Sequence, residues 1–220
     1  MIPALVRREF GHGSGMISPN HMVFIVNIPK NASSFISQWT QHFDWRPALA
    51  LHFEHRIAEM IVVLRDPLDR WVSGMTQYLS GYILNAKDAY DADTGPDQED
   101  QYFNATTFIN QYNATVERML FDNLDRHDDH VWPQHEIIDG VLPDKRKVYY
   151  YLDHALEQKL CQHLGISLVS NIDRNQGNSN PDQKMLKMFL KEKLLERPVL
   201  QQRVIDRYKK DYELISQVIS

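Results

Sequence analysis

The stretch VFIVNIPKNASSFISQW, Val23 to Trp39, decides the fold class. Its first half is apolar and rich in β-branched residues, which predicts a buried strand over Met22 to Ile28. Its second half, from Ser33 to His42, reads as a helix. Between them PKNASSF supplies one lysine, two serines and no glycine. A turn from strand to helix gathers backbone N–H groups at the positive end of the helix dipole. Lys30 adds a mobile cation, and Ser33 and Ser34 add hydroxyl donors. The expectation is an anion cradle for phosphate or sulfate, against the plainer alternative of an ordinary capped helix.

Further strands and helices alternate along the chain. Ile57 to Leu64 (IAEMIVVL) predicts a second buried strand running into Arg65-Asp66-Pro67, with Pro67 opening a helix. Trp71, Met75, Tyr78 and Tyr82 form a core stripe on that helix. Residues 87–101 (KDAYDADTGPDQEDQ) read as a solvated acidic loop, with a flap over a site as the alternative. One helix follows, capped by Thr106 or Thr107, with Phe108, Ile109, Tyr112, Val116, Met119 and Leu120 on its apolar face. Lys147 to Leu152 reads as a strand and Leu156 to Leu164 as a helix stopped by Gly165. Residues 171–182 read as loop, and helices over 183–196 and 199–218 follow. No internal repeat is visible. The alternation predicts a single α/β domain with a central parallel sheet flanked by helices, and ligand at the carboxyl ends of the strands.

Composition narrows the function. The chain has 220 residues, 43% hydrophobic and 24% charged, with a net charge of −5. That balance argues against general nucleic-acid binding, which needs a phosphate-neutralising surface. The apolar runs are too short to span a membrane, and the first residues lack a signal peptide's apolar stretch. The lone Cys161 reads as a core residue. A soluble, cytoplasmic protein is expected.

The second strand carries a matching set of groups. VVLRDPLDRWVSGMTQYL places Arg65 at a strand end and Ser73 on the next helix. They are candidates for a second anion site, and Arg70 for that site or for an internal ion pair. Two anion sites suit a nucleotide with phosphates at both ends. The nucleoside-triphosphate pattern GxxxxGK[ST] is missing, and with it the hydroxyl beside lysine that would hold Mg²⁺. LHFEHRIAEM offers His52, Glu54 and His55 as bases just before the strand, and His130 and His135 flank VWPQ.

In this pairing and order, IPKNASSF resembles the 5′-phosphosulfate loop, and LRDPLDRWVS the 3′-phosphate motif, of sulfotransferases that use 3′-phosphoadenosine 5′-phosphosulfate (PAPS). VWPQ (131–134) resembles the W-x-PQ signature of Golgi carbohydrate sulfotransferases, without the intervening residue. IDRYKKDYELI (205–215) resembles the terminal helix of that branch. The Golgi membrane anchor is not visible. The resemblance implies a P-loop-like sulfotransferase fold and transfer of a sulfuryl group from PAPS to a hydroxyl, with a carbohydrate as the expected acceptor. Adenosine 3′,5′-bisphosphate (PAP) is the implied product, and no metal is needed. Pro29, Lys30, Asn31, Ala32, Ser33, Ser34 and Phe35 would surround the 5′-phosphosulfate, with Lys30 stabilising the leaving oxygen. Arg65 and Ser73 would take the 3′-phosphate. The branch often places a glutamate base between the two motifs, as Glu54 stands here, whereas other branches use histidine. The rival readings are a P-loop-like small-molecule kinase and a catalytically silent nucleotide- or glycan-binding protein.

Three N-x-S/T sequons begin at Asn31, Asn104 and Asn113. With no signal peptide expected, they read as coincidental, and a glycan on Asn31 would also block the proposed loop.

Overall fold

A computed structural model describes residues 13–94, 104–122, 124, 130–168 and 180–219, without the side chains of 82–94. The described residues divide into two compact units. One lies within Met1–Pro67, Pro133–Arg174 and Tyr208–Ser220, the other within Leu68–Trp132 and Asn175–Arg207.

The first unit is built on a five-stranded mixed sheet of order β3-β1-β2-β4-β5. Its strands are β1 (Ser14–Ile17), β2 (Val23–Val26), β3 (Arg46–Leu49), β4 (Glu59–Leu64) and β5 (Arg146–Tyr151). β2, β4 and β5 run parallel, with Val23 opposite Glu59 and Glu59 opposite Arg146. β1 runs antiparallel to both β2 and β3. The α/β class therefore holds, but the wholly parallel sheet expected from the sequence is corrected to a mixed one.

The reason lies in β1 and β3, which the sequence pattern hides. SGMI is a short polar-glycine segment. RPAL carries Pro47, which cannot donate to a ladder and is tolerated because β3 is an edge strand. By contrast, every residue of β4 after Glu59 is buried, the pattern of a parallel strand covered on both faces.

Gly15 explains how β1 fits beside β2. A Cβ added there would stand 2.1 Å from the Ile25 carbonyl oxygen and 2.6 Å from the Phe24 ring. Gly15→Ala is expected to cost roughly 2–3 kcal/mol, because backbone must move to admit a methyl. Denaturant unfolding measures it; a loss below about 0.5 kcal/mol, typical of an unconstrained surface site, would show that the strand pair has room.

One sheet face is covered by α1 (Ser33–Gln41) and α6 (Leu156–Leu164). Met16, Ile25, Ile61 and Val63 meet Ile36, Trp39, Leu156, Leu160 and Cys161 there. Trp39 is fully buried; a ring of that size removes area worth about 4–6 kcal/mol, which fixes the helix that follows the loop. Cys161 is a core residue, as expected, and burial followed by the Glu157 charge raises its thiol pKa. Short α5 (Gln134–Asp139) and α9 (Lys209–Ile219) pack on each other, and α9 also meets β5.

The second unit is helical: α2 from Leu68 onward (α2 spans Pro67–Thr94), α3 (Ala105–Asn110), α4 (Ala114–Asp122), α7 (Pro181–Glu196) and α8 (Pro198–Arg207). Trp71 and Met75 are buried core residues, and Trp71 lies 5.1 Å from the Phe121 ring. The side chain of Tyr82 lies outside the described residues. Helix α2 runs into the stretch expected to be loop, taking in 87–94. Acidic side chains do not stop a helix, and the breaker Gly95-Pro96 comes later. Residues 95–101 lie outside the described residues, as do 171–179 of the other expected loop.

The helix expected after that stretch is in fact two, α3 and α4, and the caps are asparagines. Asn104 Oδ1 accepts from the Thr107 N–H at 2.9 Å, and Asn113 Oδ1 accepts from the Thr115 N–H at 2.9 Å. Two of the three sequons thus have a structural use as helix starts. The last expected helix also divides, at the buried Tyr208, into α8 and α9. No helix among the described residues is long and apolar enough to cross a membrane.

Candidate functional site

The loop after β2 makes its turn without glycine by placing Lys30 (φ 68°) and Ala32 (φ 60°) in the left-handed region. Each such residue costs about 1–2 kcal/mol, so the loop persists only because its surroundings impose it. Turns of this kind present successive N–H groups to one side and make anion-binding concavities. Helix α1 begins at Ser33 with no side-chain cap and no carboxylate in its first turn. Its positive end is therefore not neutralised from within. Ser33 is half-buried and Ser34 exposed. Phe35 stacks on Trp39 at 6.4 Å, which leaves its backbone in the first turn. Pro29, half-buried, has no N–H to offer.

Asn31 departs from the role expected of it. It is 1% exposed, and its amide Nδ2 donates to the Val63 carbonyl at 2.7 Å and to Gln134 Oε1. Its backbone N–H closes the turn on the Ile28 carbonyl at 3.1 Å. Its donors are spent inside the fold, so it shapes the loop rather than offering a donor to an anion. Asn31 Oδ1 is buried without a partner among the described residues, which costs about 1–3 kcal/mol for such an acceptor.

Gln134 joins this loop to the end of β4. Its Oε1 also accepts from the Arg65 N–H at 2.9 Å, and its Nε2 donates to the Arg65 carbonyl at 2.8 Å. The Arg65 guanidinium donates in turn to the Lys30 carbonyl at 2.9 Å. Asp211, with no solvent exposure, holds Gln134 from the other side. It accepts from the Gln134 N–H at 2.7 Å, the His135 N–H at 2.9 Å and His135 Nδ1 at 2.8 Å. An ionised carboxylate only accepts, so Nδ1 of His135 carries the proton. Four stretches far apart in sequence, around residues 31, 65, 134 and 211, are thereby locked together in one buried polar network.

A pocket of about 500 Å³ opens beside the first turn of α1. Ser33, Ile36 and Ser37 form its helical wall, Asn27 and Leu49 lie at strand ends, and His52 completes it. His52 rides on a 3₁₀ turn, Ala50–Phe53, which is anchored by the buried Ala50. Glu54 and His55 are exposed and do not line this pocket.

The remaining candidates lie in the second unit. Ser73 is half-buried on α2. Arg70 is fully buried and donates to the Trp132 carbonyl, so its role is structural. His130 has its backbone carbonyl against Gly74, where an added Cβ would stand 2.1 Å away.

Sequence reasoning did not find the Gln134–Asp211 link. The resemblance pointed to both stretches, but nothing in residue spacing pairs positions so far apart. No family model matches the chain, and neither the curated proteins nor the solved structures compared with it contain a match.

Proposed function

We propose that this protein is a sulfotransferase with a P-loop-like sulfotransferase fold, acting from PAPS on a hydroxyl of a carbohydrate. The observation that carries the reading is the Gln134 clamp. It draws the two anion-motif loops, around Asn31 and Arg65, to one buried amide. The uncapped start of α1 and the left-handed loop before it fit a doubly charged phosphate better than a merely structural turn.

When bound, PAPS supplies the sulfuryl group and the phosphate that leaves. Ser33, Ser34 and the first-turn N–H groups would hold its 5′-phosphate, and Arg65 its 3′-phosphate. Lys30 would stabilise negative charge growing on the leaving oxygen, the electrostatic contribution expected to dominate such transfers. The acceptor hydroxyl would occupy the pocket beside Ser33 and give its proton to His52. His52 is favoured over Glu54 because it shares that pocket with the loop serine. His135 is held by Asp211 and serves the clamp.

Ligand affinity tests the cofactor half of this reading. PAP at a hundredfold excess over its dissociation constant should stabilise the protein by about 2.7 kcal/mol. ATP with Mg²⁺ at the same concentration and ionic strength should stabilise it less. A larger thermal shift with ATP–Mg²⁺ would replace the sulfotransferase reading with the kinase one.

A further inference from the structure

At the opposite end of the sheet from the loop, where the parallel strands begin, three side chains converge. His21 ends the turn into β2, Arg46 opens β3, and Arg56 shortly precedes β4. Arg46 Nη2 lies 2.8 Å from His21 Nε2, and Arg56 Nη1 lies 3.0 Å from His21 Nδ1. Two guanidinium groups thus grip both edges of one imidazole.

This arrangement cannot satisfy itself. A guanidinium only donates, and a neutral imidazole has a single acceptor nitrogen. In either tautomer one arginine faces a ring N–H, and in the imidazolium form both do. Among the described residues neither guanidinium has a carboxylate partner. Asp44 and Glu54, each two positions before one of the arginines, are exposed and make no ion pair with them. Partial loss of hydration, and then the two guanidinium charges, hold the His21 pKa below its ordinary value. The group is a surplus of donors and positive charge.

It is also held in place by backbone. The turn into β2 is closed by Ser18 and Asn20: Ser18 Oγ donates to Asn20 Oδ1 at 2.7 Å, and Asn20 Oδ1 accepts from the Met22 N–H at 3.0 Å. His21 sits in this turn in the left-handed region, with φ 62°. Arg56 N–H donates to the Phe53 carbonyl at 2.8 Å. The Phe53 ring backs the cluster, 4.8 Å from the His21 ring and 5.6 Å from the Arg46 guanidinium carbon.

We propose that His21, Arg46 and Arg56 form an oxyanion-binding site, separate from the phosphate loop, for a sulfate or carboxylate group borne by an acidic sugar or free in solution. An oxyanion accepts from both guanidinium groups and from a protonated His21, which removes the donor conflict. Phe53 gives the site an apolar surface beside the charges, suited to a sugar ring. The inference does not depend on the sulfuryl-transfer reading.

The test is the ¹H–¹⁵N NMR titration of the His21 ring in the full-length protein, with inorganic sulfate against chloride at matched ionic strength. Sulfate should raise the His21 pKa by about half a pH unit or more, since a nearby anion favours the imidazolium. The paired variant Arg46→Gln/Arg56→Gln should lose at least about tenfold in sulfate affinity. Because both arginines are exposed, that variant should fold. A sulfated tetrasaccharide binding at least tenfold tighter than inorganic sulfate would support the sugar-borne source, and equal affinities the free ion. Absence of any sulfate response beyond that of chloride overturns the proposal, as does an undiminished response in the paired variant.

Discussion

Replacing His52 with alanine should lower sulfuryl transfer by roughly 10²–10⁴-fold, the usual contribution of a general base. PAP should bind that variant within a few-fold of the parent, because His52 lines the pocket from the 3₁₀ turn Ala50–Phe53 and is not among the residues proposed to hold the nucleotide. The acidic limb of the pH–rate profile should be lost with the imidazole. Glu54→Gln should stay within a few-fold of the parent, since that carboxylate lies outside the pocket, whereas His52, equally exposed, lines it. The comparison needs single-turnover rates with sulfur-labelled PAPS and a panel of glycans. Should Glu54→Gln be inactive while His52→Ala turns over normally, the base is the glutamate and the pocket assignment falls. Retained PAP binding in both variants would leave the cofactor assignment standing.

The second large effect is on stability. Asp211→Ala should destabilise the protein by roughly 3–5 kcal/mol, a large share of the 5–15 kcal/mol typical of a native protein. The carboxylate has no solvent exposure and accepts from three donors. Its removal strands the N–H groups of Gln134 and His135 in the interior. Asp211→Asn should not rescue fully, because an amide offers one acceptor oxygen and sets an NH₂ against donors. Urea or guanidinium unfolding gives the number. Nucleotide affinity should fall in parallel, since Gln134 loses the support that aims it at Arg65. A cost under about 1 kcal/mol would mean that the network is dispensable, contrary to what buried charge-assisted hydrogen bonds lead one to expect.

What the sequence disclosed follows from how each element is buried. β2 and β4 were legible because their residues are mostly apolar and β-branched, and β4 is covered on both faces; β5 was legible from Val148 and the three tyrosines that follow it, all strand-favouring. The start of α1 was legible from the serines that open it. β1 and β3 were not, because Ser14-Gly15 and Arg46-Pro47 carry no strand pattern, and an edge strand does not need one. The loop's lysine and serines were readable as an anion cradle, whereas the inward turn of Asn31 was not, since its partners Val63 and Gln134 come from distant parts of the chain. The break between α3 and α4 was written in Asn113, which the eye takes as a sequon before it takes it as a cap. The pairing of Arg46 and Arg56 around His21 needed the strand order, which places β3 beside a strand that composition does not reveal.

The Gln134 clamp also sets an order of events during synthesis. Asn31 meets a partner 103 positions later, and Gln134 then meets Asp211 a further 77 positions on. The sheet's first strands and the loop leave the ribosome long before either partner exists. Contacts of such separation form late, after their loop-closure entropy has been met. The strained turn at Lys30 and Ala32 has no support from Gln134 until that residue is made, and Gln134 itself lacks the Asp211 carboxylate until later still. On the proposed reading, nucleotide would bind the finished loop only after Asp211 has been made, and would not guide the folding steps that precede it.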